Sequence, residues 1–268
     1  MANLFRYTRS PATRSLFDWM LAVRGILFVG RRFTCPCCGW RLRAFTHGDG
    51  SLRTRPNGYC PRCNAKARHR RDWLFLRQST NLFADDLRLL HISPKYSLAR
   101  RFARMPNLEY VAGDIKDRPY VAVRFDLAGL PFRSGAFDAA ICIHVLEHVE
   151  HDRAAMEELF RILRPGGWAF VSVPVRLDQP TYEDATITAP EARRRAFGET
   201  DHRRWYGSDL IDRLAECGFI VTLDRAQALP EDLKARYGLL ADENIFLCTK
   251  PIEGSPGAGA SLPTAPVE

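Results

Sequence analysis

From Leu87 onward the chain alternates short apolar runs with amphipathic stretches. The runs from Leu87 to Ile92, Leu108 to Ala112, Phe137 to Ile143, Trp168 to Val175, Phe219 to Leu223 and Ile245 to Thr249 have the length and content of buried strands. Between two of them, Met156, Leu159, Phe160 and Leu163 recur at helical spacing, and Pro165-Gly166-Gly167 is expected to stop that helix. Such alternation predicts an α/β fold, a doubly wound and mostly parallel sheet covered by helices on both faces. Upstream, residues 64–80 read as a linking helix behind a cysteine-rich segment. The stretch from Leu16 to Val29 is apolar, but Asp18 and Arg24 interrupt it and it is shorter than a membrane span requires. An amphipathic helix there, flanked by Arg14, Arg31 and Arg32, leaves two readings open: it lies on an anionic membrane, or it packs on the protein. The organisation expected is a leader over 1–34, a cysteine module and linker over 35–80, an α/β domain over 85–250, and a tail over 253–268. The tail is too rich in Gly, Ala, Ser and Pro to offset its ordering entropy by burial, so disorder is expected.

Composition is ordinary for a globular chain of 268 residues, with 46% hydrophobic and 26% charged positions, but the charge is unevenly placed. Residues 1–80 carry 16 Lys/Arg against 3 Asp/Glu, whereas the remainder carries 23 against 28. A basic front segment suits an anionic partner, nucleic acid or a phospholipid surface; arginines that are simply solvated are the competing reading.

Of the eight cysteines, Cys35 and Cys38, then Cys60 and Cys63, form two Cys-x-x-Cys pairs. The two-residue spacer brings both thiolates of a pair to one metal, and the Gly39 or Asn64 that follows can take a left-handed backbone as amides turn toward sulfur. Four sulfurs predict a closed tetrahedral zinc site, structural rather than catalytic because no position remains for substrate. Cys37 is expected to be a spectator, and Cys142, Cys217 and Cys248 to lie in the core. Such usage suits a reducing, cytoplasmic setting, peripheral at the inner membrane surface if the leader docks there.

Three segments then occur in order: Asp126-Leu127-Ala128-Gly129-Leu130-Pro131-Phe132 with Phe137-Asp138, Val145-Leu146-Glu147-His148-Val149, and Glu157-Glu158-Leu159-Phe160-Arg161-Ile162-Leu163-Arg164-Pro165-Gly166-Gly167. Together they resemble the small-molecule branch of class I S-adenosylmethionine-dependent methyltransferases. The resemblance implies a seven-stranded, doubly wound, mostly parallel sheet and S-adenosylmethionine as cofactor. It implies that Asp126 accepts from the adenine amino group with the Leu127 amide beside it, and that Asp114 holds the ribose hydroxyls. For both aspartates a turn or helix-cap role is the alternative. The departure is at the first strand, where the family's glycine-rich loop is replaced by Leu90-His91-Ile92-Ser93-Pro94-Lys95-Tyr96. That run is similar to one in a bacterial zinc-ribbon subgroup, in which Arg68-His69-Arg70, Thr181-Tyr182-Glu183-Asp184 and the stretch from Phe197 to Gly207 also have counterparts. On this resemblance His91, Ser93 and His144 border the cofactor.

Methyl transfer from a sulfonium is an in-line displacement, so the protein must align the partners and remove a proton from a hydroxyl or amine acceptor. His144, after the fourth strand of the sheet, is the first candidate base and His202 the second; Glu147 and His148 follow His144 at helical offsets. The stretch of about 30 residues before Ser208 is too long for a plain connector. It reads as a lid in which Tyr182, Glu183, Arg204 and Tyr206 bind a polar acceptor. The leading expectation is methylation, at oxygen or nitrogen, of a polar small molecule or glycan-type acceptor. Methylation of RNA gripped by the basic zinc module is the rival partner, and a non-catalytic zinc-dependent scaffold with a degenerate cofactor loop is the rival class.

Overall fold

The computed structural model of the chain describes residues 11–47, 52–118 and 120–252. The expected tail over 253–268 and the first ten residues of the leader lie outside the described residues. The front of the chain comprises Pro11–Leu27 (α1), Val29–Thr34 (β1), Arg41–Leu42 (β2), Phe45–Thr46 (β3), Thr54–Arg55 (β4) and Ala67–Ser79 (α2). Then follow Leu87–Ile92 (β5), Tyr96–Phe102 (α3), Leu108–Asp114 (β6), Val123–Arg124 (β7), Phe137–Ile143 (β8), Asp152–Ile162 (α4) and Leu163–Ser172 (β9). The last third holds Val175–Arg176 (β10), Tyr182–Glu183 (β11), Pro190–Phe197 (α5), Arg204–Gly207 (β12), Leu210–Glu216 (α6), Ile220–Asp224 (β13), Glu231–Tyr237 (α7) and Ile245–Thr249 (β14).

Seven strands form one sheet in the order β13-β14-β9-β8-β5-β6-β7. Six run in one direction, and β14 alone runs antiparallel, to both its neighbours. From β5 the chain moves to β6 on one side, while β8 lies on the other. That reversal opens a crevice above the carboxyl ends of β5 and β8, where ligands of open α/β sheets bind.

Side chains alternate across each strand, so one sheet feeds two cores. Leu89, Ile141, Phe170 and Leu247 join Trp73, Phe75 and Phe102 on one face, in a cluster that continues into Phe33, Phe45 and the buried cysteines of the front module. Leu90, Cys142, Val171 and Phe246 meet Met156, Leu159, Leu210 and Leu214 from α4 and α6 on the other. The cysteine module therefore shares its core with the sheet. Helix α2 is the connection: Trp73 stacks on Phe102 of α3 with centroids 5.6 Å apart, and Phe75 meets Phe170 of β9 edge-on at 5.7 Å. Fully burying one such side chain contributes about 1.5–3 kcal/mol, so the face under α2 is a large share of the fold's stability.

Helix α1 packs on the protein through buried Leu21, the Arg24 Nε bond to the Pro61 carbonyl (3.0 Å), and ion pairs of Asp18 with Arg100 and Arg104. Its other face leaves Trp19, Met20, Ile26 and Leu27 exposed. Among the described residues no helix is long and apolar enough to cross a membrane.

Two expected boundaries move. Pro165-Gly166-Gly167 does not stop the helix; α4 ends at Ile162 and these residues belong to β9. The register between β8 and β9 shifts there, between Phe137 and Ala139, and Gly166 N–H and Lys250 N–H bond to the carbonyls of Lys250 and Gly167. The lid-like stretch is a folded insertion: β10, β12 and β11 form a small sheet, with α5 beside it.

Candidate functional site

The four cysteines converge as their spacing predicts. Cys35 Sγ lies 3.7 Å from Cys63 Sγ, and Cys38 Sγ 3.8 Å from Cys60 Sγ. Zinc with Zn–S bonds of about 2.3 Å at tetrahedral angles sets its sulfurs about 3.8 Å apart, so the cluster is compatible with that ion. The two knuckles are alike in backbone as well: Gly39 N–H bonds to Cys35 O and Asn64 N–H to Cys60 O, both at 2.8 Å, and Gly39 and Asn64 have φ of 70° and 61°. The guanidinium groups of Arg24, Arg70 and Arg101 interact electrostatically with these sulfurs, which suits the net negative charge of a metal tetrathiolate. Cys37 stands apart and donates to His69 O at 3.4 Å. Cys142 and Cys248 are core residues, whereas Cys217 is half-buried.

At the crevice, Ser93 follows β5 and His144 follows β8, and both are non-glycine residues in the left-handed region, with φ of 45° and 52°. Each is pinned by its amide, Ser93 to Gly113 O at 2.7 Å and His144 to Ser172 O at 2.8 Å. Strain of about 1–3 kcal/mol at such a position persists only where the surroundings enforce it. Asp114 ends β6 next to them, buried; it accepts from Ser93 Oγ (3.2 Å) and the Lys116 amide (3.0 Å) and forms an ion pair with Arg118 (2.8 Å). Cations crowd this corner: burial, and then Arg118 and Arg68, lower the pKa of Lys95, with Lys66 adding to the effect and Asp114 opposing it.

His144 is bracketed by two carboxylates, Glu147 Oε1 at 3.2 Å from Nδ1 and Glu243 Oε2 at 3.6 Å from Nε2. Burial disfavours its charge, but the bonds to Glu147 and Glu243 outweigh it and raise its pKa to about 9. At neutral pH His144 is thus a cationic donor, and it can accept an acceptor's proton only after losing its own. Asp72 of α2 is fully buried near Glu243 and His144, and burial followed by Glu243 pushes its carboxyl up to about 8.

Other expected site residues are placed differently. His91 is a core histidine: Nδ1 bonds Tyr110 Oη at 2.9 Å, the ring packs against Phe102 and Tyr110, and burial lowers its pKa to about 3. It points into the core under α3 and leaves the loop's contacts to Ser93. Asp126 is exposed and closes its own turn by accepting from the Ala128 amide at 3.0 Å, while Leu127 is buried. Arg204 and Tyr206 are buried braces. Arg204 bonds Glu183 (2.8 Å) and the carbonyls of Leu146, Val149 and Glu150, and Tyr206 Oη donates to Asp152 (2.9 Å). They tie the insertion to the turn after β8. Glu183 pairs with Arg204 and Arg213, and Tyr182 is exposed on one side with its ring against Phe197, centroids 5.6 Å apart.

His202 is buried in the insertion with Nδ1 on Phe197 O at 3.0 Å, and its ring meets that of His148 edge-on, centroids 4.7 Å apart. The residues that sequence reasoning missed are Glu243, Asp72 and Arg68. Arg68 and Asp72 are four apart on α2, so a search for charged pairs on one helical face would have found them; Glu243, in an irregular loop, carries no such mark.

Residues 78–171 match the family model described as a methyltransferase domain. A stretch of 61 residues is 44% identical to the tRNA (carboxymethyluridine(34)-5-O)-methyltransferase alkbh8 of Xenopus tropicalis, covering 22% of this chain and 10% of that protein. The Ubiquinone biosynthesis O-methyltransferase of Paraburkholderia phymatum is 29% identical over 111 residues, 41% of this chain and 47% of the relative. The chain thus spans from a tenth to under half of these relatives. Among solved structures, that of the (4+2)-cyclase SpnF aligns over 89% of this chain and 94% of its own with a TM-score of 0.50 and 16% identity, a likeness of fold.

Proposed function

We propose that the chain, whose residues 78–171 match a methyltransferase domain, transfers a methyl group from S-adenosylmethionine to an oxygen of a polar small-molecule or glycan-type acceptor. The observation that carries this reading is the left-handed turn at Ser93 directly beside buried Asp114, at the switch point of the sheet. A positive φ lets the backbone of the loop turn as a glycine would, so the missing glycines do not close the pocket. Asp114 would hold the ribose hydroxyls, Asp126 and the Leu127 amide the adenine, and Lys95, Arg68 and Lys66 would offer positive charge to the carboxylate of the methionine moiety. The bound cofactor supplies a methyl group on a positively charged sulfur. The chain's own residues would align the acceptor hydroxyl, and the proton it loses as the methyl group arrives would go to His144 in its neutral form, held between Glu147 and Glu243. Oxygen is favoured by the names of two of the relatives, each an O-methyltransferase. The cysteine cluster holds zinc in a structural capacity.

Titration calorimetry with S-adenosylmethionine and S-adenosylhomocysteine tests the reading, followed by label transfer from the cofactor to fractions of cell extract. Binding of both and label in the small-molecule fraction are expected. Absence of binding by the zinc-loaded protein overturns it in favour of a non-catalytic scaffold. An RNA acceptor is the second reading, supported by the relative named for tRNA and by the 16 basic residues of the front segment; label in the RNA fraction would select it. The exposed apolar face of α1, with Arg31 and Arg32 beyond its end, supports peripheral docking on an anionic membrane.

A further inference from the structure

We infer that Glu147, His148 and His202 form a second metal site, distinct from the cysteine cluster, that takes one exchangeable divalent transition-metal ion beside the crevice. One ligand atom of each residue lies within 4.8 Å of the others. The two imidazoles are oriented as metal ligands usually are. His202 Nδ1 is 3.0 Å from the Phe197 carbonyl, and His148 Nδ1 is 3.3 Å from the Asp201 carbonyl and 3.4 Å from Asp201 Oδ2. A carbonyl only accepts, so each Nδ1 carries the hydrogen and each Nε2 keeps a free lone pair. Pinning of the far nitrogen by a backbone carbonyl or carboxylate is the outer-shell arrangement of ligating histidines.

A second, independent observation comes from the carboxylate. Glu147 is 1% exposed; its Oε1 accepts from His144, but its Oε2 is buried with no hydrogen-bond partner. A stranded carboxylate oxygen costs more than the roughly 1–3 kcal/mol of a neutral group unless something positive meets it. The three groups are held from two directions. Glu147 and His148 sit on the turn after β8, and His202 arrives on the insertion, which the Arg203 amide fastens to Glu147 O at 2.8 Å and Arg204 fastens to three more carbonyls of that turn. The structural work of Arg204 is thereby accounted for: it delivers His202 to His148.

Two imidazoles and one carboxylate suit zinc, manganese, iron, cobalt or nickel better than magnesium or calcium, which prefer all-oxygen sites. Three protein ligands leave at least one coordination position open, unlike the closed four-sulfur cluster. On the methyl-transfer reading, that position is where an acceptor oxygen would be oriented; the existence of the site does not depend on that reading.

The test counts metal ions per chain on the full-length protein with its cysteine cluster already loaded with zinc. Cobalt(II) and manganese(II) are titrated separately, unbound metal is removed by gel filtration, and metal per chain is measured by mass spectrometry. For cobalt the visible spectrum separates d–d bands of a nitrogen and oxygen site from the thiolate charge-transfer bands of the cluster. Expected is one additional ion in the wild type, with its spectrum free of thiolate bands. The affinity should fall in His148→Ala and in His202→Ala by more than the roughly 10- to 100-fold of an outer-shell change, with the zinc of the cluster retained. Glu147→Gln, which keeps the shape of the buried side chain, weakens binding without an effect on folding measured by circular dichroism. A wild-type protein that gains no ion at millimolar metal, or a His148→Ala/His202→Ala double variant that still gains one, overturns the proposal. Cofactor binding, followed by calorimetry on the same samples, reports separately on the methyl-transfer reading.

Discussion

Replacing Arg70 by Met is the sharpest test of how the front module is joined to the rest of the molecule. Arg70 is fully buried, and its guanidinium lies 3.8 Å from the centroid of the Phe45 ring. Nε donates to Tyr237 O at 2.6 Å, Nη1 to Gly58 O at 2.8 Å and to Ala65 O at 3.0 Å, and Nη2 to Gly238 O at 2.7 Å. Two acceptors belong to the cysteine module and two to the end of α7, so one side chain fastens segments that are 167 residues apart from it or as few as 5. Met preserves length and apolar bulk, so what is lost is the guanidinium's own interactions: its four bonds, its contact with the Phe45 ring and its attraction to the sulfurs. At about 1 kcal/mol net for each of the four, the variant should be about 4 kcal/mol less stable, a large part of the roughly 5–15 kcal/mol that holds a domain together. In a chain of this size that is about 8–16 °C in Tm. Urea unfolding of the zinc-loaded protein measures it, and amide exchange over 231–239 should rise as α7 loses its anchor. Arg70→Lys, with one point donor in place of a fork, should recover less than half of the loss. A Met variant within 1 kcal/mol of wild type, with unchanged exchange in α7, would refute the reasoning.

Four other outcomes are expected. Asp72 has a folded-state pKa of about 8 against about 3.9 in an unfolded chain; the folded acid keeps a proton that the unfolded one releases, so this residue makes stability fall as pH rises from about 4 to about 8. In Asp72→Asn that decline disappears and the protein is more stable than wild type at pH 8, by a few kcal/mol in order of magnitude; urea midpoints across pH 4 to 9 that show parallel profiles count against it. Asp114→Ala should weaken S-adenosylmethionine binding by about 1–3 kcal/mol in calorimetry, and unchanged affinity removes the ribose assignment alone. Cys60→Ser combined with Cys63→Ser should abolish retention of the cluster's zinc and lower thermal stability steeply, because metal binding and folding are coupled in such modules. Trp19→Ser with Ile26→Ser should reduce co-sedimentation with anionic vesicles at low salt, and wild-type binding should fade as the screening length shortens; wild-type protein that ignores such vesicles leaves the face without that partner.

Much of the sheet is legible in the sequence, for reasons that also explain what is not. The runs at 87–92, 137–143 and 245–249 coincide with β5, β8 and β14 residue for residue, since a strand buried on both faces is apolar throughout and bounded by polar turns. The strand Val123–Arg124 is two residues long and carries no pattern. Pro165-Gly166-Gly167 reads as a stop because its local chemistry is that of a turn, while the bonds of Gly166 and Gly167 run across the sheet to Lys250. The knuckles are legible down to the left-handed backbone of Gly39 and Asn64, because two Cys-x-x-Cys pairs constrain geometry locally. The crevice is harder. His144 stands at the right place, but its charge state depends on Glu243, 99 positions away in a loop, and no spacing announces that. Arg204 and Tyr206 look like binding residues because they are polar; their partners, about 50 to 60 positions upstream, make them braces. His91 is marked by its neighbours in a loop motif, yet on a strand its ring must face one core or the other.

Helix α2 couples two chemistries that the chain order keeps apart. On one side it supplies Arg70 and the His69 carbonyl to the cysteine module; on the other, Asp72 and Arg68 stand near His144, Glu243 and Lys95. A helix transmits displacement as a rigid rod, with no slack between successive turns. Thiol oxidation that expelled a metal from the knuckles would therefore loosen the rod's anchorage and shift the charges set against the crevice, so that cofactor affinity would follow the redox state of sulfurs that never touch the cofactor.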